Sequence, residues 1–186
     1  KWEFTAWDHL RLDEPAITQE DIQAASAADT AIYVVRRIAG EGTDRTNTKG
    51  SYLLADVEYQ NLQLLSESFD KVIVLLNVCD SIDTSFYDEI DGLDAMLLVS
   101  LGGSQIGTVV ADILSGKINP SGKLTASWVG NYKNYPSKID SDTALYTDDI
   151  YVGYRYFETF DPECVQYCFG MGLSYTSFDI RTDSVK

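Results

Sequence analysis

Apolar positions along this chain follow two rhythms, short unbroken runs and helical spacings. Ala31-Ile32-Tyr33-Val34-Val35-Arg36 is β-branched and aromatic, so it reads as a buried strand over residues 32–36. Val72-Ile73-Val74-Leu75-Leu76 is continuously apolar, as expected of a strand covered on both faces, and Ala95-Met96-Leu97-Leu98-Val99 repeats the pattern. Between the first two runs, Leu54, Val57, Leu62 and Leu65 recur at helical spacing and predict a helix from 54 to about 68. Thr18 with Asp21 forms a capping-box-like start for an earlier helix ending near 28. Gly102-Gly103 turns the chain into a helix from 105 to about 114, closed by Gly116. Asn119-Pro120-Ser121-Gly122 reads as a turn and Leu124-Thr125-Ala126-Ser127-Trp128 as a strand. Such repeated strand–helix units predict the α/β class: an open, mostly parallel sheet flanked by helices.

Beyond Val129 the pattern loosens. Tyr132-Lys133-Asn134-Tyr135-Pro136 and residues 140–149 form a polar, aromatic loop, and residues 151–157 read as a Tyr-rich strand. Phe169-Gly170-Met171-Gly172-Leu173-Ser174-Tyr175 is turn-rich, so this irregular aromatic end is expected to pack against the sheet rather than extend it. The expected organisation is one domain over residues 1–178, with 179–186 a tail or the start of a following domain.

Composition narrows the partners. The 186 residues carry 29 acidic against 14 basic side chains, a net charge of −15. Nucleic acid and anionic membranes are poor partners for such a chain, because phosphate binding needs clustered Lys and Arg. No run approaches the roughly 20 apolar residues of a membrane span, and no amino-terminal signal pattern is visible. The chain opens on Lys1-Trp2-Glu3-Phe4 without an initiator Met, which reads as a piece of a longer polypeptide. Cys79, Cys164 and Cys168 are odd in number and lack framework spacing, which favours a reducing compartment. Cys164 and Cys168 with one distant histidine are too few for a zinc site, so neither metal nor cofactor is expected.

The candidate chemistry sits after the first strand, in Gly40-Glu41-Gly42-Thr43-Asp44-Arg45. Ligands bind at the carboxyl edge of open α/β sheets, and a glycine-flanked carboxylate there can donate or accept a proton. Glu41 is therefore either a general acid/base or a solvated loop residue. Asp44 and Arg45 either fix the loop by an ion pair or form a surface pair of little energetic value. Tyr151, Tyr154, Tyr156 and Phe157 either stack on sugar rings or pack one face of a strand, the default for such spacing. Trp128 reads as core and Arg155 as a buried or half-buried tether. His9 is the only histidine and lies in an irregular stretch, which disfavours a serine- or cysteine-based triad. A nucleotide-binding module is a rival reading, but neither Gly-rich turn completes G-x-G-x-x-G. A non-catalytic carbohydrate-binding or interaction domain is another.

Several segments resemble one family. Asn119-Pro120-Ser121-Gly122-Lys123-Leu124, Tyr151-Val152-Gly153-Tyr154-Arg155-Tyr156-Phe157 and Phe169-Gly170-Met171-Gly172-Leu173-Ser174-Tyr175-Thr176 are similar to signatures of glycoside hydrolase family 3. Gly102-Gly103-Ser104-Gln105-Ile106-Gly107 resembles its Gly-Gly turn without the acidic residue often found there. Asn77-Val78-Cys79-Asp80-Ser81-Ile82-Asp83 resembles its Asn-Val-Gly segment, with Cys79 at a usual glycine, and Cys168 stands where proline is common. In this order the segments cover nearly the whole chain from Ala24 onward.

The resemblance implies the family's α/β sandwich, its C-terminal-type domain, lacking an opening strand before Lys1. It implies a retaining, exo-acting β-glycosidase of β-glucosidase type, acting on terminal β-linked sugars of an oligosaccharide or glycoside. In that family the nucleophile is an aspartate on a separate (β/α)8 barrel, which nothing here resembles, and in some bacterial members the sandwich precedes the barrel rather than following it. The acid/base is in many members a glutamate of the sandwich, and the matching loop assigns that role to Glu41, with Asp44 and Arg45 supporting it. The isolated chain is then expected to be inactive, and the parent to be a bacterial cytoplasmic protein.

Overall fold

The structure, a computed structural model, describes residues 14–40, 44–136 and 148–185. It divides into two compact units, Lys1–Leu101 and Gly102–Lys186.

In the first unit the apolar runs become three parallel strands, β1 (Thr30–Arg36), β2 (Lys71–Asn77) and β3 (Ala95–Leu98), in that spatial order. Between them come α2 (Asp56–Ser68) and the single-turn α3 (Phe86–Glu89), and α1 (Gln19–Ala24) precedes the sheet. The register pairs Ala31 with Val72, Tyr33 with Val74 and Val35 with Leu76. All six are buried, and Leu62 and Leu65 of α2, which packs against both strands, are buried too. Central β2 is covered on both faces as expected, with Leu75 buried opposite Val72, Val74 and Leu76.

β1 departs from its reading as a fully buried strand. Ile32 and Val34 are 51% and 40% exposed, because side chains alternate across the strand and, among the described residues, only the face bearing Ala31, Tyr33 and Val35 is covered. α1 starts on the expected capping box: Asp21 N–H donates to Thr18 Oγ1 at 3.2 Å, and Thr18 N–H to Asp21 Oδ2 at 2.8 Å. It ends at Ala24, earlier than the pattern suggested, and loosens into turns. Buried Asn61 of α2 ties the preceding segment down, accepting from Ile17 N–H (2.8 Å) and donating to the Pro15 carbonyl (2.9 Å).

In the second unit α4 (Ile106–Leu114) follows a tight Gly103–Gln105 turn and ends before Gly116, as predicted. The expected strand at 124–128 shrinks to β4 (Trp128–Val129), antiparallel to β5 (Val165–Tyr167) across a bulge. Trp128 is buried, in keeping with its core reading. The larger correction concerns residues 151–157, where the sequence suggested a strand. They lead into a helix, α5 (Tyr154–Phe160), after Gly153 at φ 63°. Tyr151, Tyr154, Phe157 and Phe160 recur every third residue, which suits one side of a helix better than a pleat. Only Phe157 of these is buried, and Arg155 is exposed rather than a tether, its guanidinium 5.0 Å from the Tyr154 ring centroid.

The turn-rich end closes on the turn after α4. Leu124 N–H donates to the Met171 carbonyl and Gly170 N–H to that of Leu124, each at 2.8 Å. Asn119 Nδ2 donates to Ser174 Oγ at 2.8 Å. A Cβ at residue 172 would collide with the Gly122 carbonyl oxygen, so only glycine allows this approach. Two of the segments singled out in the sequence are thus packing partners of each other.

Candidate active site

A parallel sheet gathers the loops that follow its strands at one edge. Here those loops follow β1, β2 and β3 in the first unit. Glu41, the predicted acid/base, and the neighbouring residues 42 and 43 lie outside the described residues, as do His9 and most of the 140–149 loop. What the structure shows is the framework from which the Glu41 loop departs and to which it returns.

The departure point is Arg37, the residue after β1. Its side chain is 5% exposed and forks onto Glu58 of α2, Nη1 to Oε1 and Nη2 to Oε2, both at 2.7 Å. Its remaining donors go to main-chain oxygens: Nε to Ser51 (2.7 Å), Nη1 also to Arg36 (2.6 Å) and Nη2 also to Leu53 (3.2 Å). Glu58 also accepts the Ala55 N–H at 2.7 Å, at the start of α2. A buried charge is tolerated when it is paired and its donors are filled, and this pair meets both conditions. No local pattern marked Arg37, because its partner arrives only when α2 packs on the sheet. The available signal was a charged residue ending an apolar strand, with a carboxylate in the first turn of the next helix.

The return point is Asp44-Arg45. The structure brings Arg45 not to Asp44, which is exposed, but to the loop after β2. Arg45 Nη2 donates to the Ser81 carbonyl at 2.7 Å and lies 4.0 Å from Asp80 Oδ2, with its side chain 13% exposed. Its Nη1 is buried with no hydrogen-bond partner among the described residues. The same two loops are joined again where Asp83 N–H donates to the Tyr52 carbonyl at 2.9 Å. Asn77, last residue of β2, donates through Nδ2 to the carbonyl of Ser100, which holds a left-handed backbone (φ 53°) after β3. The Asn77–Asp83 segment is therefore a hub: Arg45 and Tyr52 reach it from one side and Ser100 from the other.

Elsewhere, cavities of about 360 Å³ and 350 Å³ are lined by α1 with Ala28 and Phe69, and by Tyr151, Tyr154 and Arg155. The first lies where β1 and β2 begin, away from the carboxyl edge. Among the described residues no group of three His, Cys, Asp or Glu side chains is placed to hold a metal. Burial raises the Cys164 thiol above its ordinary value, with the Asp161 carbonyl accepting its S–H at 3.1 Å.

The glycosyl hydrolase family 3 C-terminal domain model matches residues 4–175, nearly the entire chain. The chain belongs to that family. Family 3 relatives agree along its length. It is 39% identical to a beta-glucosidase of Ruminococcus albus over all of this chain and 20% of that protein. It is 37% identical to beta-glucosidase A of Butyrivibrio fibrisolvens over 90% of this chain and 24% of the other. A solved beta-glucosidase from Paenibacillus barengoltzii superimposes with a TM-score of 0.87 at 42% identity, covering 94% of this chain and 20% of that one. The chain thus spans about a fifth to a quarter of the family 3 relatives it matches. These matches agree with the family resemblance carried by the sequence segments and with the parallel sheet flanked by helices.

Proposed function

We propose that this chain is the acid/base-bearing domain of a retaining exo-β-glycosidase of β-glucosidase type, with Glu41 as the proton donor. The observation that carries the reading is the family match; Arg37 and Arg45, which flank Glu41 in the sequence, stand at the carboxyl edge of the sheet. The relatives' names supply the substrate class, and their greater length leaves room for the nucleophile-bearing barrel.

The chemistry divides between two carboxyl groups roughly 5–5.5 Å apart. An aspartate of the barrel attacks the anomeric carbon while Glu41 gives its proton to the glycosidic oxygen, so the leaving sugar or alcohol departs neutral. Glu41, now a carboxylate, takes a proton from water as that water attacks the glycosyl ester and restores the aspartate. General acid assistance contributes about a hundredfold or more where the leaving group is poor.

In the full-length parent enzyme, Glu41→Gln should slow hydrolysis of a β-linked disaccharide by about a hundredfold or more. An activated aryl β-glucoside should lose much less in its glycosylation step, because its leaving group needs little protonation. Steady-state rates on both substrates decide the matter. Wild-type turnover of the disaccharide by this variant would remove Glu41 from the mechanism.

A further inference from the structure

The segment that leads into β1 is held down almost entirely by polar contacts. None of residues 14–29 is buried, and only Glu14, Ile17 and Ile22 are partly covered. Beside α1, a cavity of about 360 Å³ reaching to Ser68 and Phe69 at the end of α2 takes the place of close helix packing. With so little apolar area covered, the usual driving force for docking an element is small here.

What holds this segment is a single clamp. Asn61, 2% exposed on α2, accepts the Ile17 N–H at 2.8 Å and donates to the Pro15 carbonyl at 2.9 Å. Those two groups flank Ala16, and a neighbouring parallel strand would pair with the same two, so the carboxamide stands in for a strand residue. Asn61 also donates to Tyr33 Oη at 3.4 Å. The Tyr33 O–H donates to Glu14 Oε1 at 3.1 Å, and the other Glu14 oxygen accepts from Arg36 at 2.9 Å. At the far end the Asp29 carbonyl accepts the Lys71 N–H at 3.1 Å, where β2 begins. The capping box of Thr18 and Asp21 bonds only within the segment, so it needs no docking to form.

We propose that residues 14–28 form a strap that undocks and redocks as a unit while the sheet stays folded, with Asn61 as its lock and Asp29 as its hinge. Segments with few buried apolar contacts open locally at far smaller cost than global unfolding. Each hydrogen bond of the lock is worth about a two- to tenfold change in the opening equilibrium. Opening bares the Asn61 carboxamide on α2 and the Tyr33 hydroxyl on β1, a receptor for extended main chain that the strap fills in cis. The strap stands independently of the role of Glu41.

Hydrogen–deuterium exchange of the full-length parent protein, followed over residues 14–28, 30–36 and 71–77 in increasing urea below the unfolding transition, tests this. In the wild type, 14–28 should be protected, yet exchange at least about tenfold faster than the two strands. Its rate should also rise much less steeply with urea, because opening the strap exposes little surface. Equal protection and equal urea slopes would show that the segment opens only with the whole unit, and would overturn the proposal. Exchange of 14–28 at the rate of an unstructured peptide would show that it never docks, and would overturn it too. Asn61→Ala should speed exchange of 14–28 by about tenfold or more, with the strands still slower and still steeply dependent on urea. Glu14→Ala, which removes the contacts to Tyr33 and Arg36 at little risk to the core, should speed it by about two- to tenfold. If Asn61→Ala does not fold, Glu14→Ala decides. Unchanged exchange of 14–28 in the deciding variant would place the lock elsewhere and overturn the proposal.

Discussion

Arg37 and Glu58 form a buried charged pair inside a small α/β unit, forked together and hydrogen-bonded to main-chain groups. The fork at 2.7 Å and the main-chain acceptors replace the water that both groups give up. Removing one partner is the damaging change, because the other remains buried and uncompensated. Glu58→Ala should lower unfolding free energy by about 3–5 kcal/mol, read by urea titration. Tyr33 makes a pH-dependent contribution. Burial raises its phenol well above the ordinary tyrosine value, and the nearby Glu14 carboxylate, which accepts its O–H at 3.1 Å, adds to the rise. A raised acid favours the folded state fully below the unfolded tyrosine pKa of about 10, and that contribution is lost progressively as pH rises beyond it. Urea midpoints of the wild type should therefore fall above about pH 10 more steeply than those of Tyr33→Phe, which has no such proton. Parallel slopes would show that Tyr33 is not the group responsible.

The secondary structure was legible where the hydrophobic pattern was long or continuous. α2 and β2 formed within two residues of their predicted bounds, because helical spacing and an unbroken apolar run each match only one arrangement. Leu62 sits where α2 meets the sheet and is fully buried, so Leu62→Ala should cost about 2–5 kcal/mol, again by denaturant titration. A loss below about 1 kcal/mol would mean the α2 interface is loosely packed. The reading failed on α5, where Tyr and Phe favoured a strand by propensity. Contacts among rings won instead: Tyr151 meets Phe160 at 4.8 Å, Tyr156 meets Phe160 at 5.3 Å, and Tyr154 stacks on Phe169 at 4.6 Å. The spacing of every third aromatic carried the helical signal, but the residue types outweighed it. α3 gave no warning, since four residues are too few to show a period.

For the protein as a whole, the functional reading assigns half of a catalytic pair to this chain. On the proposed function the isolated 186 residues should hydrolyse neither aryl β-glucosides nor disaccharides, while the parent should turn over both; turnover by the isolated chain would show that it carries its own nucleophile. Calorimetry on the isolated chain with glucose or a β-linked disaccharide separates this from the carbohydrate-binding alternative, which requires measurable heat at accessible concentrations.

The amino-acid sequence by itself determined the α/β class, most of the strand and helix order, and the family, because local periodicity and contiguous motifs are properties of neighbouring residues. It also singled out Glu41, Asp44 and Arg45 as a group. Only the tertiary structure decided which side of β1 faces the core, that Arg37 belongs to Glu58, and that Arg45 reaches Ser81 rather than Asp44. These pairings join residues far apart in the chain. They exist only after the sheet has brought its loops to one edge, where distance through space replaces distance along the sequence.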